Sequence, residues 1–319
     1  MKKSHLFAYS LILSIPLWWG VNVFGIGMDN YFADREIIKN PYILKAQVSS
    51  AFALPKAPEK IEINARAALS VLIKPNGEKE IIFSKNPDEK LAIASLTKLM
   101  SAYVALNYLD LSKNIEVSYS STLIKGDKSG FSAGQSFAAK DLLYSSMVES
   151  SNVGITALTQ PLGQSAFVDL MNLEAKNMGL DNMKFFNPTG LDDEKNNNYS
   201  TARDLEKLAE KVFSNPSISE ILSLREFDLY LSDGTLHHKS LTTNAILTSS
   251  ELPGLKIIGG KTGETLLAKG CLLLVTQNQK NEIIINVILG SDDRFGEMEK
   301  LALWANSIAN YRRILDLLN

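Results

Sequence analysis

The sequence predicts an α+β domain: an antiparallel sheet assembled from both ends of the chain, with helical layers and a mostly helical lobe between them. Three observations predict it. Two apolar runs around residues 65–85 flank a turn signal. A long block of helix-period segments follows. Three further apolar runs and an amphipathic helix close the chain.

"ARAALSVLIK" (65–74) and "EIIFSK" (80–85) read as strands on either side of "PNGE", Pro75 to Glu78, whose Asn-Gly is a strong hairpin signal. "IASLTKLMSAYVAL", Ile93 to Leu106, reads as a buried helix, with Ile93, Leu96, Leu99, Met100, Val104 and Leu106 as its apolar positions. Leu142 to Met147, Val153 to Leu158, Phe167 to Met178 and Ala202 to Phe213 also read as helices. "REFDLYL", "GLKIIGGKTG", "KGCLLLVTQ" and "NEIIINVILG" read as strands. The last is nearly all apolar, which predicts a central strand covered on both faces. "EMEKLALWANSIANYRRILDLLN" closes the chain as an amphipathic helix.

Ahead of this domain the chain is different. "LFAYSLILSIPLWWGVNVFGIG", Leu6 to Gly27, carries no charge and follows Lys2 and Lys3. Its length suits a membrane-spanning helix or the apolar core of a secretory signal. Positive residues stay on the cytoplasmic side, so the remainder is expected outside the cytoplasm. No clean A-x-A site follows directly, and Gly25-Ile26-Gly27 is a weak substitute, which favours an anchor over a cleaved signal. Residues 1–28 are thus read as signal or membrane anchor. Residues 29–60 are read as a linker, with two prolines in "SSAFALPKAPEK". Residues 61–319 are read as the folded domain.

The 319 residues suffice for a large core, and 45 % apolar with 21 % charged residues is ordinary for a globular protein. A net charge of −2 argues against nucleic acid as a partner. One cysteine, Cys271 in "GCLLLV", excludes an internal disulfide and reads as a buried strand residue. The three histidines, His5, His237 and His238, form no zinc-spaced cluster with it, so neither metal nor cofactor is expected.

A lysine inside an apolar helix needs a reason. Lys98 lies one turn from Ser95, on the same helix face, so its amine can reach the hydroxyl. Burial lowers an amine's pKa and lets it act as a base. Downstream, Ser150-Ser151-Asn152 falls between two apolar segments, where it reads as a helix–helix turn or an N-cap. Lys261-Thr262-Gly263 ends the strand "LKIIGG", whose edge offers hydrogen bonds to an extended peptide. Lys261 and Thr262 suit a carboxylate, and Gly263 permits close approach. Each motif alone reads first as structure. In this order the three form the Ser-x-x-Lys, Ser-x-Asn, Lys-Thr-Gly signature of penicillin-binding proteins and class A β-lactamases.

With that signature the chain resembles the low-molecular-weight D-alanyl-D-alanine carboxypeptidases of peptidase family S11. The resemblance runs from about Ala65 to Ala305 and includes "DLLYSSMVESSN", "FFNPTGLD", "STARDLEKLA" and "KTGET". It implies the serine β-lactamase/DD-peptidase-like fold: a five-stranded antiparallel sheet flanked by helices, plus a mostly helical lobe. It implies Ser95 as the acylated nucleophile, Lys98 as its general base, and Ser150 and Asn152 as the proton-shuttling and substrate-orienting pair. Lys261 and Thr262 would receive the terminal carboxylate. The backbone N–H groups of Ser95 and Glu264, the residue after Gly263, would form the oxyanion hole. Arg294, in "DDRFGEMEKL", lies where the family often has Arg-Phe and would be a second carboxylate ligand. Ser151 stands where glycine is commoner, which a side chain turned from the pocket tolerates. The implied substrates are peptidoglycan stem peptides, with β-lactams as covalent inhibitors.

Other readings are weaker. No E-x-x-L-N sequence lies between Asn152 and Lys261, against a β-lactamase. Gly130-Phe131-Ser132-Ala133-Gly134 matches G-x-S-x-G, but polar "IKGDKS" precedes it where a nucleophile elbow needs an apolar strand. His237 and His238 fall in a hairpin or loop and are poor triad candidates. A sensor that binds β-lactam without turnover would not need Ser95, Lys98, Asn152 and Lys261 intact. Many family carboxypeptidases add a β-rich C-terminal domain and a C-terminal membrane helix, which this chain is expected to lack, leaving the N-terminal segment as tether. Compact members that cut D-Ala–diamino-acid crosslinks also occur, so endopeptidase stands as the alternative activity.

Overall fold

In the computed structural model the chain is described from residue 57 to 318, save 125, 128 and 250. The apolar segment 6–27 and most of the linker lie outside the described residues. Among the described residues, no helix is long and apolar enough to cross a membrane.

The hairpin forms as the sequence predicts: β1 (Ala67–Ile73) and β2 (Lys79–Lys85) are joined across a turn in which Gly77 takes φ +84. A short strand β3 (Leu91–Ala92) leads into a single 3-10 turn at Ala94–Leu96 and then α1 (Thr97–Tyr108). The lobe continues with β4 (Asn114–Glu116), α2 (Tyr119–Thr122), β5 (Ser136–Ala138), α3 (Ala139–Val148), α4 (Asn152–Leu158) and α5 (Gln164–Asn177). After β6 (Tyr199–Ser200) come α6 (Ala202–Phe213) and α7 (Pro216–Ser223). A separate hairpin, β7 (Glu226–Tyr230) with β8 (Leu236–Leu241), and α8 (Ala245–Ser249) precede β9 (Leu255–Thr265), β10 (Lys269–Asn278), β11 (Ile283–Ser291) and α9 (Arg294–Leu318).

The main sheet has the order β2-β1-β11-β10-β9, antiparallel throughout. "REFDLYL" does not join it. It forms β7 of the outlying hairpin, and its register places Asp228 opposite Lys239. The five strands of the sheet are the other five the sequence predicts, and the chain from Lys85 to Leu255 separates its two halves, with Ser70 opposite Asn286 in the β1–β11 pair.

The central strands are apolar without interruption because both faces are covered. Leu69, Val71, Leu273, Val275, Val287 and Leu289 enter the core shared with α1, α3, α5 and α6. Their neighbours Ala68, Leu272, Leu274 and Ile288 point the other way, onto Met298, Leu301 and Ala302 of α9. This is period-two alternation with apolar residues on both sides. α6 shows the helical counterpart: Leu205, Leu208, Ala209 and Val212 are buried at helical spacing, and the Thr201 hydroxyl caps the helix by accepting from the Asp204 N–H at 3.0 Å. Cys271 is fully buried in β10, and burial pushes its thiol up to about 11, so it is inert packing.

Candidate active site

Ser95 sits in the 3-10 turn rather than in the α-helix, which starts two residues later. The turn begins at Ala94, a non-glycine residue at φ +46. Left-handed backbone at alanine is strained and persists only where neighbours impose it. The imposing neighbour is "FFNPTGLD". Gly190, at φ +85, lies so close that an added Cβ would fall 1.8 Å from the Ala94 carbonyl oxygen. The Asn187 side chain shapes this block by accepting from Gly190 N at 2.7 Å and Thr189 N at 3.1 Å. Asn198 ties it to α1 by donating to the Thr97 hydroxyl at 3.0 Å, and the Ser101 hydroxyl donates to the Pro188 carbonyl at 2.7 Å.

Lys98 is fully buried, and its amine meets three oxygens: Ser95 Oγ at 2.8 Å, Asn152 Oδ1 at 2.6 Å and the Thr189 carbonyl at 3.1 Å. The chemistry of the three differs. Asn152 Oδ1 and the Thr189 carbonyl can only accept, whereas a serine hydroxyl can also donate. A neutral amine has two N–H groups and one lone pair. With both hydrogens given to the two acceptors, the lone pair faces the Ser95 hydroxyl. Burial lowers the Lys98 pKa well below its usual value, Lys261 nearby lowers it further, and Asp127 partly opposes.

Lys261 is equally buried on β9 and donates to Ser150 Oγ at 2.9 Å and to the Thr262 carbonyl at 3.1 Å. Burial, with Arg294 behind it, brings its pKa down to about 7. Thr262 Oγ1 lies 2.5 Å from Thr243 Oγ1. Gly263 presses the strand edge against the serine turn: a Cβ there would lie 2.9 Å from Ser95 N and 3.0 Å from Ala94 Cβ. Glu264 pairs with Arg294 at the mouth, while Arg294 Nε is buried with no acceptor among the described residues. Ser150 occupies φ +66 at the end of α3; Ser151 caps α4 by accepting from Gly154 N at 2.9 Å, and it lines the cleft beside Ser150 and Asn152.

The predicted residues thus converge on one cleft of about 550 Å³, lined by Ser95, Ser150, Asn152, Thr262, Gly263 and Arg294 among others. The sequence did not point to Thr189, which contributes only a backbone carbonyl, nor to Thr243 or Asp127, which belong to no motif. The rival motifs separate from it. Ser132 lies in a turn before β5, with no strand among the described residues that lead into it. His238 Nε2 meets the Glu149 carboxylate at 2.9 Å and Ser240 Oγ at 3.3 Å, both on the same ring nitrogen. A relay needs them on opposite nitrogens, so this is no triad.

A family model for the D-alanyl-D-alanine carboxypeptidases of peptidase S11 matches residues 54–293. The chain belongs to this family of serine peptidases. It is 30 % identical over 267 residues to the D-alanyl-D-alanine endopeptidase of Escherichia coli (strain K12), covering 79 % of this chain and 84 % of that one. It is 30 % identical over 249 residues to D-alanyl-D-alanine carboxypeptidase DacF of Bacillus subtilis (strain 168), covering 76 % of this chain and 62 % of the relative. Among solved structures, the Streptomyces K15 DD-transpeptidase superposes with a TM-score of 0.68 at 25 % identity, over 79 % of this chain and 98 % of that one.

Proposed function

We propose that the chain removes the terminal D-alanine from peptidoglycan stem peptides through an acyl-enzyme on Ser95. The observation that carries this reading is the Lys98 amine, fully buried and 2.8 Å from Ser95 Oγ with acceptors at its other two corners. Ser95 attacks the penultimate D-Ala carbonyl while Lys98 takes the hydroxyl proton. The oxyanion rests on the Ser95 and Glu264 backbone N–H groups, where loss of one donor typically costs about 3 kcal/mol. Ser150, held by Lys261, passes the proton to the departing D-alanine, and water then releases the acyl group. Asn152 holds Lys98 and orients the substrate amide. Lys261, Thr262 and Arg294 receive the terminal carboxylate; the unpaired Arg294 Nε is a buried donor that such a carboxylate would satisfy.

Labelled penicillin tests this directly. Wild type is expected to become covalently labelled and Ser95→Ala to stay unlabelled. An unlabelled wild type would overturn the assignment.

A second reading is endopeptidase cleavage of crosslinks, supported by the 30 % identity to the Escherichia coli endopeptidase. Chromatography of products from a pentapeptide stem and from a crosslinked dimer separates the two. Free D-alanine from the pentapeptide with the dimer left intact is the expected result. We further place the catalytic domain, from about residue 61, on the outer face of the membrane, tethered by residues 6–27; the uncharged run behind Lys2 and Lys3 supports this.

The pH dependence follows from Lys261. An ammonium binds the carboxylate and a neutral amine does not, so kcat/KM for the free enzyme is expected to fall as pH rises through about 7. A bound carboxylate favours the charged amine, which moves the descending limb of kcat to higher pH. Coincident limbs in the two profiles would count against Lys261 as the carboxylate ligand.

A further inference from the structure

We propose that Asp127 is a positioning residue for the Ser150–Asn152 turn, a role that rests on the reaction proposed above. Its carboxylate reaches from the loop between α2 and β5 and fixes how that turn presents Ser150 and Asn152 to Ser95 and Lys98.

The turn needs such a clamp. Ser150 lies at φ +66 without being glycine, a conformation that must be imposed from outside. The three residues after it are all tied to Asp127. Oδ2 accepts from the backbone N–H of Asn152, from Val153 N at 2.7 Å and from Ser151 Oγ at 2.9 Å. Oδ1 is held in place by Ser129, through its N–H at 2.8 Å and its hydroxyl. Ser129 Oγ and Ser151 Oγ also meet at 2.9 Å, closing the cluster. Hydrogen bonds from backbone and hydroxyl donors to an ionised carboxylate are about twice as strong as neutral ones. Burial works against the Asp127 charge, but the hydrogen bonds from Ser129, Val153 and Ser151 outweigh it and hold the carboxyl below its usual range.

The clamp is also electrostatic. Among the described residues, Lys98 is faced by Lys261 from β9 and by Asp127 from the loop; Ser95, Asn152 and Thr189 complete its surroundings without charge. Asp127 is thus the anion that steadies Lys98 against a second buried amine. Two jobs meet in one side chain: geometry for Asn152, and charge for the lysine that Asn152 holds. A purely structural cap would do only the first.

Asp127→Asn keeps the shape and removes the charge. Acylation by labelled penicillin is expected to slow roughly 10- to 100-fold, as small misplacements of reacting groups do. The ascending limb of the rate against pH is expected to move to lower pH, because Lys98 loses a neighbour that favours its protonated form. Asp127→Glu keeps the charge but not the reach, so it should slow acylation with the limb unmoved. Ser151→Ala removes one donor and serves if Asp127→Asn does not fold; acylation a few-fold slower, again with an unmoved limb, is expected. Labelled wild type with Asp127→Asn reacting within about twofold of it, and the limb unmoved, overturns the positioning role alone. So does a wild-type rate in both Asp127→Glu and Ser151→Ala. An unlabelled wild type overturns the proposed reaction, and the positioning role falls with it.

Discussion

Lys98→Ala is expected to slow acylation of Ser95 by ~10³-fold, within the range that a positioned base contributes. The reasoning is local. Among the described residues the hydrogen-bond partner of Ser95 Oγ is the Lys98 amine, so its removal takes away the group placed to accept the proton. Asn152 Oδ1 and the Thr189 carbonyl also lose their shared donor inside a buried pocket, so part of the loss is displacement of Asn152. Lys98→Arg separates charge from basicity. A guanidinium keeps its proton under all ordinary conditions and has no lone pair to offer, so Arg is expected to be as slow as Ala despite its charge. A time course of labelling for wild type, Lys98→Ala and Lys98→Arg checks both. An Arg variant within about tenfold of wild type would mean that Lys98 acts as a fixed charge rather than a base.

Gly190→Ala is expected to damage stability and acylation together. The added methyl would fall 1.8 Å from Ala94 O, 2.4 Å from Ala94 C and 2.8 Å from Thr97 Oγ1, and two of those atoms are backbone. No flexible side chain can swing aside to make room. Overpacking of this kind typically costs 1–3 kcal/mol, and left-handed backbone at alanine adds about 1–2, so a destabilisation of roughly 3 kcal/mol is expected. Relief must come from the Ala94 peptide, which directly precedes Ser95. Thermal unfolding should therefore show a Tm several degrees lower, and labelling should be slow even where the protein is folded. Ala at the solvent-facing Gly234 is the control: its φ of +86 imposes the same backbone penalty, and nothing lies within 4 Å of the added methyl. Equal effects at the two positions would mean that backbone strain, not contact with the serine turn, is what matters.

What the sequence revealed and what it hid divide along a physical line. Side-chain periodicity carried α6, whose bounds match the expectation at both ends, and the doubly covered β11, because burial writes itself into residue type. Spacing carried Ser95 with Lys98, because one helical turn is a fixed distance. α7 was missed although Asn215 caps it and Pro216 occupies its first turn; an Asn-Pro pair signals a turn as readily as a helix start. The short pairs β3–β6 and β4–β5 bury too little to leave a pattern at all. Backbone groups were invisible for a different reason. The Thr189 carbonyl that holds Lys98 could come from any residue, and the left-handed turns at Ala94 and Ser150 occupy residues that give no sign of them. "FFNPTGLD" could be recognised as a block, but only the Gly190 contact explains what it does.

The order of the strands has a consequence in time. Ser70 Oγ donates to Asn286 Oδ1 at 2.8 Å across the middle of the sheet, and 216 residues separate them. A chain emerging from its N-terminal end holds β1 and β2 only as a lone hairpin, which is marginal in water. Ser95 and Lys98 are then already three residues apart in sequence, but the lysine is solvated and carries its proton like any other. In the proposed reaction the amine can act as a base only once burial and Lys261 lower its pKa, which requires the rest of the sheet. Catalytic competence is therefore among the last properties the nascent protein acquires, and a truncated or half-synthesised copy is chemically silent without any inhibitor to restrain it.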